Sequence, residues 1–174
     1  MSASRAHATP QALDDVMIGE VAGTIDASRH PGWKVGQAVV GPLGWQEYAV
    51  SDGSNLTPIH DTDLPLSVYL GAVRMTGITA WYGIRHICAP KPGQTGLVSG
   101  AAGAVGSVAL QLARQIGCRV VGIAGGADKC AHVVAALGAD ACVDYKGAAD
   151  ASALQQLIKE VAPDGVDAFF DNVN

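Results

Sequence analysis

A glycine- and alanine-rich turn at residues 99–106 is the segment of this sequence best suited to bind a phosphate group. It stands between a short apolar run and a helical pattern. Backbone N–H groups at a helix N-terminus attract anions, and a pyrophosphate must reach them without meeting side chains. We therefore expect Gly103 to leave room for a pyrophosphate and Gly106 to let the helix pack closely on the strand. Ala101 occupies the first glycine position of the G-x-G-x-x-G fingerprint, so the match is to a variant of it.

The residues that follow this turn favour a dinucleotide with a 2′-phosphate, NADP(H). NAD sites usually carry an acidic residue about 20 residues after the glycines, to bind the ribose hydroxyls. Residues 107–127 contain no Asp or Glu. Lys129, in the first turn of a second predicted helix, can supply positive charge to a phosphate, whereas Asp128 is expected to cap that helix. The alternative interpretation of Lys129 is a solvated surface lysine. The alternative interpretation of the glycine-rich turn is that it serves close packing of the helix on the strand and binds no cofactor.

The elements that must position these residues alternate between strand and helix. Strands are predicted at 97–100, 119–124, 141–145 and 166–170, and helices at 104–116, 128–137 and 151–161. The strands are apolar on both faces, as parallel strands covered by helices are. The pattern predicts an α/β fold with a Rossmann-type, doubly wound parallel sheet. A complete fold of this type has six strands, so we expect an incomplete, four-stranded sheet and a partial chain.

The first part of the chain has a different character. Short apolar runs at 16–25, 38–40 and 48–50, separated by Gly and Pro, predict strands of a β-rich piece. Residues 65–87 have helical spacing. We therefore divide the chain into an unassigned segment at 1–15, a β-rich part at 16–70 and a dinucleotide-binding part at 71–174.

Composition and charge exclude several classes of protein. The 174 residues are 49% hydrophobic and carry a formal net charge of −5, which argues against disorder and against a nucleic-acid partner. No window is apolar enough to span a membrane, and the N-terminus lacks the apolar core of a signal peptide. The four cysteines and five histidines show no metal-ligand spacing. We expect reduced thiols, a cytoplasmic location and no metal.

Six segments in this order resemble the zinc-independent medium-chain dehydrogenase/reductases. The resemblance is to the branch of prostaglandin reductase, leukotriene B4 dehydrogenase and curcumin reductase, which are NADPH-dependent alkenal/one reductases. The segments are GWQEY (44–48), MTGITA (75–80), AAGAVG (101–106), GIAGGADK (122–129), DYK (144–146) and FDNV (170–173). Zinc-dependent relatives carry G-H-E-x-x-G, and residues 18–23 lack the histidine of that motif.

The resemblance implies part of a GroES-like β domain followed by part of a Rossmann domain. It also implies reduction of a carbon–carbon double bond conjugated to a carbonyl, in a small-molecule enone or enal. NADPH delivers hydride to the β-carbon, and the enolate is then protonated at the α-carbon. A homodimer is implied for the parent protein.

Roles carried over from the family fall on ten residues of the cofactor site. The pyrophosphate would be held by the turn, the 2′-phosphate by a lysine and a tyrosine, and the nicotinamide end by three further residues. In that order they are Gly103, Ala104, Val105, Gly106 and Ser107; Lys129 and Tyr145; Asn172, Met75 and Thr79. Without the family, Tyr145, Asn172 and Met75 would be interpreted as a strand-end tyrosine, a turn-forming asparagine and a core methionine.

Tyr48 is the one candidate proton donor. The alternative interpretation of Tyr48, as a strand tyrosine in the core of the β domain, is the more common role for such a residue. Two other functions stay open: a quinone oxidoreductase of the same superfamily and a non-catalytic NADP-binding fragment. An apolar sheet edge without a partner strand also predicts self-association and weak catalysis for this chain alone.

Overall fold

The structure is a computed structural model that describes residues 11–60 and 63–173. The chain divides into two compact units, Met1–Leu70 and Gly71–Asn174. Residues 1–10, which include His7 and most of the segment predicted to be unassigned, lie outside the described residues, as do residues 61, 62 and 174.

The first unit contains a three-stranded antiparallel sheet in the order β1-β2-β3. Its strands are β1 (Val21–Thr24), β2 (Ala38–Gly41) and β3 (Thr57–Pro58), and a 3-10 turn follows at Leu66–Leu70. The central strand β2 is buried along its whole length. Its Ala38 and Val40 form a small core with Ile59, and Leu66 and Tyr69 pack against that core. The predicted β-rich character of this part is therefore confirmed.

Two predictions about this unit were wrong. Residues 48–50 form no strand, and Tyr48 is 77% exposed, so it does not lie in a core. Of the predicted strand at 16–25, only Val21–Thr24 forms a strand, because the residues that precede Val21 form hydrogen bonds with a loop instead. The amides of Gly44 and Trp45 donate to the carbonyl oxygens of Gly19 and Met17.

The second unit contains a parallel sheet of four strands in the order β6-β5-β4-β7. The strands are β4 (Thr95–Val98), β5 (Arg119–Ala124), β6 (Ala141–Asp144) and β7 (Ala168–Phe170). The helices are α1 (Met75–Tyr82), continued by a π-helical turn at Gly83–Cys88, α2 (Ala104–Ile116), α3 (Ala127–Ala135) and α4 (Ala151–Val161).

Helices cover both faces of this sheet. On one face, Val98 and Val120 pack with Leu110 of α2 and Val133 of α3 in the larger core cluster. On the other face, Leu97, Val121 and Val143 pack with apolar residues of α4, namely Leu154, Leu157 and Ile158. Burial on both faces explains why these strands are almost entirely apolar. The predicted α/β, doubly wound parallel sheet is confirmed.

Several element bounds differ from those predicted. The helix predicted at 128–137 begins at Ala127 with Gly126 as its N-cap, so Asp128 lies inside the first turn and does not cap it. The helical stretch predicted at 65–87 is interrupted at residues 71–74, between the 3-10 turn at Leu66–Leu70 and α1 with its π-helical continuation. The interrupted segment packs on α1, where Gly77 lies so close to the carbonyl of Ala72 that no side chain would fit. In the described part of the chain, no helix has both the length and the apolar content required to cross a bilayer.

Candidate functional site

The turn after β4 is tight and is held by its own backbone. Gly100 has a φ of +53° and its carbonyl oxygen accepts a hydrogen bond of 2.8 Å from the amide of Gly103. The amide of Ala101 donates to the carbonyl of Ile123 in the neighbouring strand at 3.0 Å. Gly103 is then the N-cap of α2, in an extended conformation and without a capping side chain. The turn therefore presents bare backbone at the start of the helix.

The first turn of α2 supplies amides that the helix itself does not use. The first helical hydrogen bond runs from the Ser107 amide to the Gly103 carbonyl, at 2.9 Å. The amides of Ala104, Val105 and Gly106 precede that bond, so they have no acceptor within the helix. Together with the helix dipole they favour an anion at this point.

A cleft of about 560 Å³ opens beside the turn, at the carboxyl ends of the strands. Its lining comes from the glycine turn, the end of β5, α3, the residue after β6, α4 and the end of β7. The residues are Ser99, Gly100, Ala102, Gly103, Ile123, Ala124, Gly125, Lys129, Tyr145, Leu154, Phe169 and Val173. Lys129 is the one charged residue among these described lining residues, so no carboxylate opposes a phosphate there.

Two of the lining residues, Gly125 and Tyr145, lie in close contact with each other. A β-carbon added at Gly125 would lie 2.9 Å from the Tyr145 hydroxyl oxygen and from two of its ring carbons. The tyrosine ring therefore lies directly over the backbone of Gly125, which fixes its position at the rim of the cleft. Lys129, in the first turn of α3, lines the same cleft.

Asp144, at the end of β6, holds the loop that leads into α3. Its Oδ1 accepts hydrogen bonds from the amides of Gly126, at 2.7 Å, and Lys146, at 3.0 Å. The bond from Gly126 and further backbone bonds hold the pKa of Asp144 below its ordinary value. Gly126 has a φ of +104°, a conformation that other residues rarely adopt. Asp144 thus positions the start of the helix that carries Lys129.

Ser99 joins the ends of β4 and β7. It is only 8% exposed, and its hydroxyl donates to Asp171 at 2.5 Å while accepting from the amide of Asn172 at 3.0 Å. The side-chain amide of Asn172 donates to the Ser99 carbonyl at 2.5 Å. The hydrogen bond from Ser99 lowers the pKa of Asp171. Asn172 is therefore held in place through both its backbone and its side chain.

Replacing Ser99 with alanine should lower the free energy of unfolding by about 1 kcal/mol, the usual net value of a buried hydrogen bond. The substitution removes the acceptor of the Asn172 amide and the donor to Asp171. Urea denaturation followed by circular dichroism measures the change. Ser107→Ala is the matched control, because the Ser107 hydroxyl makes only a long local bond of 3.5 Å to Ala104. Equal stabilities of the two variants would contradict this role of Ser99.

A second cavity, of about 640 Å³, lies on the other side of the end of β7. Phe169 and Val173 line the first cleft, whereas Phe170, Asp171 and Asn172 line the second. The remaining lining residues come from α1, the π-helical turn and α2: Ile78, Thr79, Tyr82, Gly83, Ile87 and Val105. The two cavities thus flank the Ser99–Asn172 junction.

The structure brings some of the predicted site residues together. Gly103, Lys129 and Tyr145 line the first cleft, and Val105, Thr79 and Asn172 line the second cavity. The hydroxyl of Thr79 donates to the Met75 carbonyl at 2.7 Å, so only its oxygen lone pairs are free to accept a hydrogen bond.

The other predicted residues lie outside the linings of both cavities. Ala104, Gly106 and Ser107 contribute through the backbone of α2, as described above. Met75 is 75% exposed at the start of α1, and it does not pack in a core. Tyr48 belongs to the first unit.

Ser99, Gly125 and Asp144 lie in segments that the sequence singles out, but no role was predicted for any of the three. Ser99 and Asn172 are 73 residues apart, and no local pattern links them. The pair Gly125–Gly126 was a usable signal, because two glycines after a strand often mark a close backbone approach.

No three His, Cys, Asp or Glu side chains come together as a metal site within residues 11–60 and 63–173. All four cysteines are free thiols.

Two family models match this chain. One, the N-terminal domain of oxidoreductase, matches residues 1–59, and the other, zinc-binding dehydrogenase, matches residues 104–174. One match falls in each structural unit.

Curated relatives share about two fifths of their residues with this chain. Prostaglandin reductase 1 of Oryctolagus cuniculus is 44% identical over 163 residues, which are 91% of this chain and 45% of that protein. NADPH-dependent curcumin reductase of Escherichia coli is 39% identical over 173 residues, 99% of this chain and 49% of that protein. The chain therefore spans about half the length of the curated relatives it matches.

The fold agrees with a solved structure, that of CurA from Vibrio vulnificus in complex with NADPH. The TM-score is 0.84 and the identity 39%, over 99% of this chain and 50% of that one.

Proposed function

Because the chain belongs to the medium-chain dehydrogenase/reductases, in the branch of the prostaglandin and curcumin reductases, we propose that it binds NADP(H) for the reduction of conjugated carbon–carbon double bonds. The substrates would be α,β-unsaturated ketones and aldehydes. The single observation that carries the proposal is the first cleft, where a bare helix N-terminus, a lysine and a tyrosine line one space without a carboxylate.

The residues present fit the diphosphate and 2′-phosphate of NADP(H). Gly100, Gly103 and Gly125 line the cleft, so side chains at these positions would fill the space that a dinucleotide needs. The unused amides of the first turn of α2 would bind the pyrophosphate. Lys129 would pair with the 2′-phosphate, and the Tyr145 hydroxyl would donate a hydrogen bond to it.

The nicotinamide end would lie toward the second cavity. When bound, NADPH supplies the hydride that adds to the β-carbon of the substrate. The chain's own residues would orient the nicotinamide and exclude water from it. Ile78, Tyr82 and Phe170 provide apolar surface in this cavity, and the Asn172 side chain is held by its hydrogen bond to Ser99. Met75 and Thr79 remain the proposed nicotinamide neighbours on α1.

Tyr48 remains the proposed proton donor to the α-carbon. Its phenol is 77% exposed, so its hydroxyl is available to an acceptor. Tyr48→Phe should then lower turnover about a hundredfold, a typical contribution of a general acid, with NADPH binding unchanged. Tyr69→Phe is the matched control and should keep its turnover, because Tyr69 packs against the core of the first unit and lines neither cavity. Unchanged turnover in Tyr48→Phe would remove Tyr48 from the reaction.

Turnover with a simple enone tests the proposed reaction. The purified chain is mixed with NADPH and an enone, the matching saturated ketone or a quinone, and the loss of nicotinamide fluorescence is followed. Oxidation of NADPH with the enone alone supports double-bond reduction. Faster oxidation with the quinone would favour a quinone reductase, and binding without oxidation of NADPH would leave the chain a non-catalytic NADP-binding unit.

A further inference from the structure

Two cysteines face each other in the second unit, and one of them, Cys130, directly follows Lys129 of the proposed 2′-phosphate site. The thiol of Cys142 on β6 donates to the sulfur of Cys130 on α3, with 3.0 Å between the two sulfur atoms. Both side chains are partly buried and both are free thiols. The proposed function gives neither of them a role.

The pair is close to the geometry of a disulfide. A disulfide has a sulfur–sulfur distance of about 2 Å, so the two atoms must approach by about 1 Å. The other two cysteines are engaged elsewhere, since Cys88 and Cys118 donate to the carbonyl oxygens of Phe169 and Lys91. We propose that Cys130 and Cys142 are a redox-responsive site, which a peroxide oxidises to an intrachain disulfide, and that this disulfide weakens binding of the 2′-phosphate by displacing Lys129.

The first oxidation falls on Cys130. Burial, together with the hydrogen bond to Cys130, raises the pKa of Cys142, so Cys142 is a protonated thiol at neutral pH. Its proton is directed at the Cys130 sulfur, so Cys142 is the donor of this pair and Cys130 the acceptor.

The reaction needs one peroxide for each disulfide. The Cys130 thiolate attacks a peroxide oxygen, an S–O bond forms, the O–O bond breaks, and the leaving oxyanion takes a proton to become water or an alcohol. The Cys142 sulfur then attacks the sulfur of the resulting sulfenic acid. The S–S bond forms, the S–O bond breaks, and the departing hydroxide leaves as water with the proton from Cys142.

The approach of the two sulfurs should move α3 more than β6. Cys142 is paired with Gly122 of β5, and the space above Gly122 is already filled by the Cys142 sulfur and Val133. The first turn of α3 is exposed or partly exposed on its outer side, and Lys129 immediately precedes Cys130 there. Closing the bond therefore shifts the segment that brings Lys129 into the cleft. This second effect rests on the proposed NADP(H) site, whereas formation of the disulfide does not.

Mass spectrometry of the full chain tests the disulfide. The chain is treated with hydrogen peroxide, the remaining thiols are alkylated, and peptides are mapped with and without a reductant. We expect a Cys130–Cys142 link that dithiothreitol reverses, with Cys88 and Cys118 still alkylated. In Cys142→Ser, a dimedone adduct should appear at Cys130, and Cys88→Ser should behave like the wild type. Persistent free thiols at both positions, or a different pairing, would overturn the proposal.

A titration with NADPH tests the effect on the cleft. The affinity of the wild-type chain should fall severalfold on oxidation and return on reduction, while the Cys130→Ser/Cys142→Ser variant should not respond to peroxide. An unchanged affinity after complete disulfide formation would overturn the displacement of Lys129. If the reduced chain binds no NADPH at all, the proposed function fails. Peptide mapping then still shows whether Cys130 and Cys142 form the disulfide.

Discussion

Lys129→Ala should weaken NADPH binding about tenfold to a hundredfold and leave NADH binding unchanged. A hydrogen bond to a charged group is worth about 1.5–3 kcal/mol, which corresponds to that range of affinity. Lys129 is the one charged side chain among the described residues that line the first cleft, so no neighbour there replaces it. NADH lacks the 2′-phosphate, and the substitution therefore removes nothing that NADH uses.

Titration with each nucleotide, followed by nicotinamide fluorescence, measures this difference. Lys159→Ala is the matched control, because Lys159 is an exposed lysine on α4 that does not line the cleft. Equal losses for NADPH and NADH would place Lys129 away from the 2′-phosphate. An equal loss of NADPH affinity in the Lys159 variant would indicate a general effect of charge. Salt should weaken the wild-type preference for NADPH, because the ion pair is partly screened.

The regular elements of the second unit could be predicted because each is specified locally. The bounds of α2, α4 and β5 agree with the prediction to the residue. In α2 the apolar residues recur at helical spacing, and Gly117, with a φ of +96°, ends the helix. In α4 the Asp150 side chain caps the helix by accepting from the Ala153 amide at 2.9 Å.

Contacts between distant segments could not be predicted in the same way. The bonds from Asn172 to Ser99 and from Gly126 to Asp144 join residues that meet only when parallel strands are placed side by side. Composition and periodicity say nothing about such pairs. Tyr48 shows the same limit in the first unit, since an apolar run that looks like a strand is an exposed loop. The glycine turn was the exception, because its chemistry and its position lie in one continuous segment.

Gly106→Ala should lower the free energy of unfolding by about 3 kcal/mol, the upper range for overpacking a tight contact. A β-carbon at this position would lie 2.8 Å from the carbonyl carbon of Gly100 and 3.0 Å from the Cα of Ala101, and closer still to the Gly100 oxygen. These are backbone atoms of the turn itself, so they cannot move aside without opening it. The sign of the effect is diagnostic, because alanine normally stabilises a helix by about 1 kcal/mol relative to glycine.

Gly103→Ala separates this steric effect from ligand binding. Its β-carbon would meet only the Gly100 oxygen, at 3.1 Å, but it would project toward the cleft that Gly103 lines. We expect this variant to lose NADPH affinity and to keep its stability within about 1 kcal/mol. Urea unfolding, followed by the helical circular dichroism signal, measures the stability of the second unit, because α1 to α4 all belong to it. A Gly106→Ala chain as stable as the wild type would mean that the helix does not need its close approach to the turn. The glycine would then serve the cofactor alone.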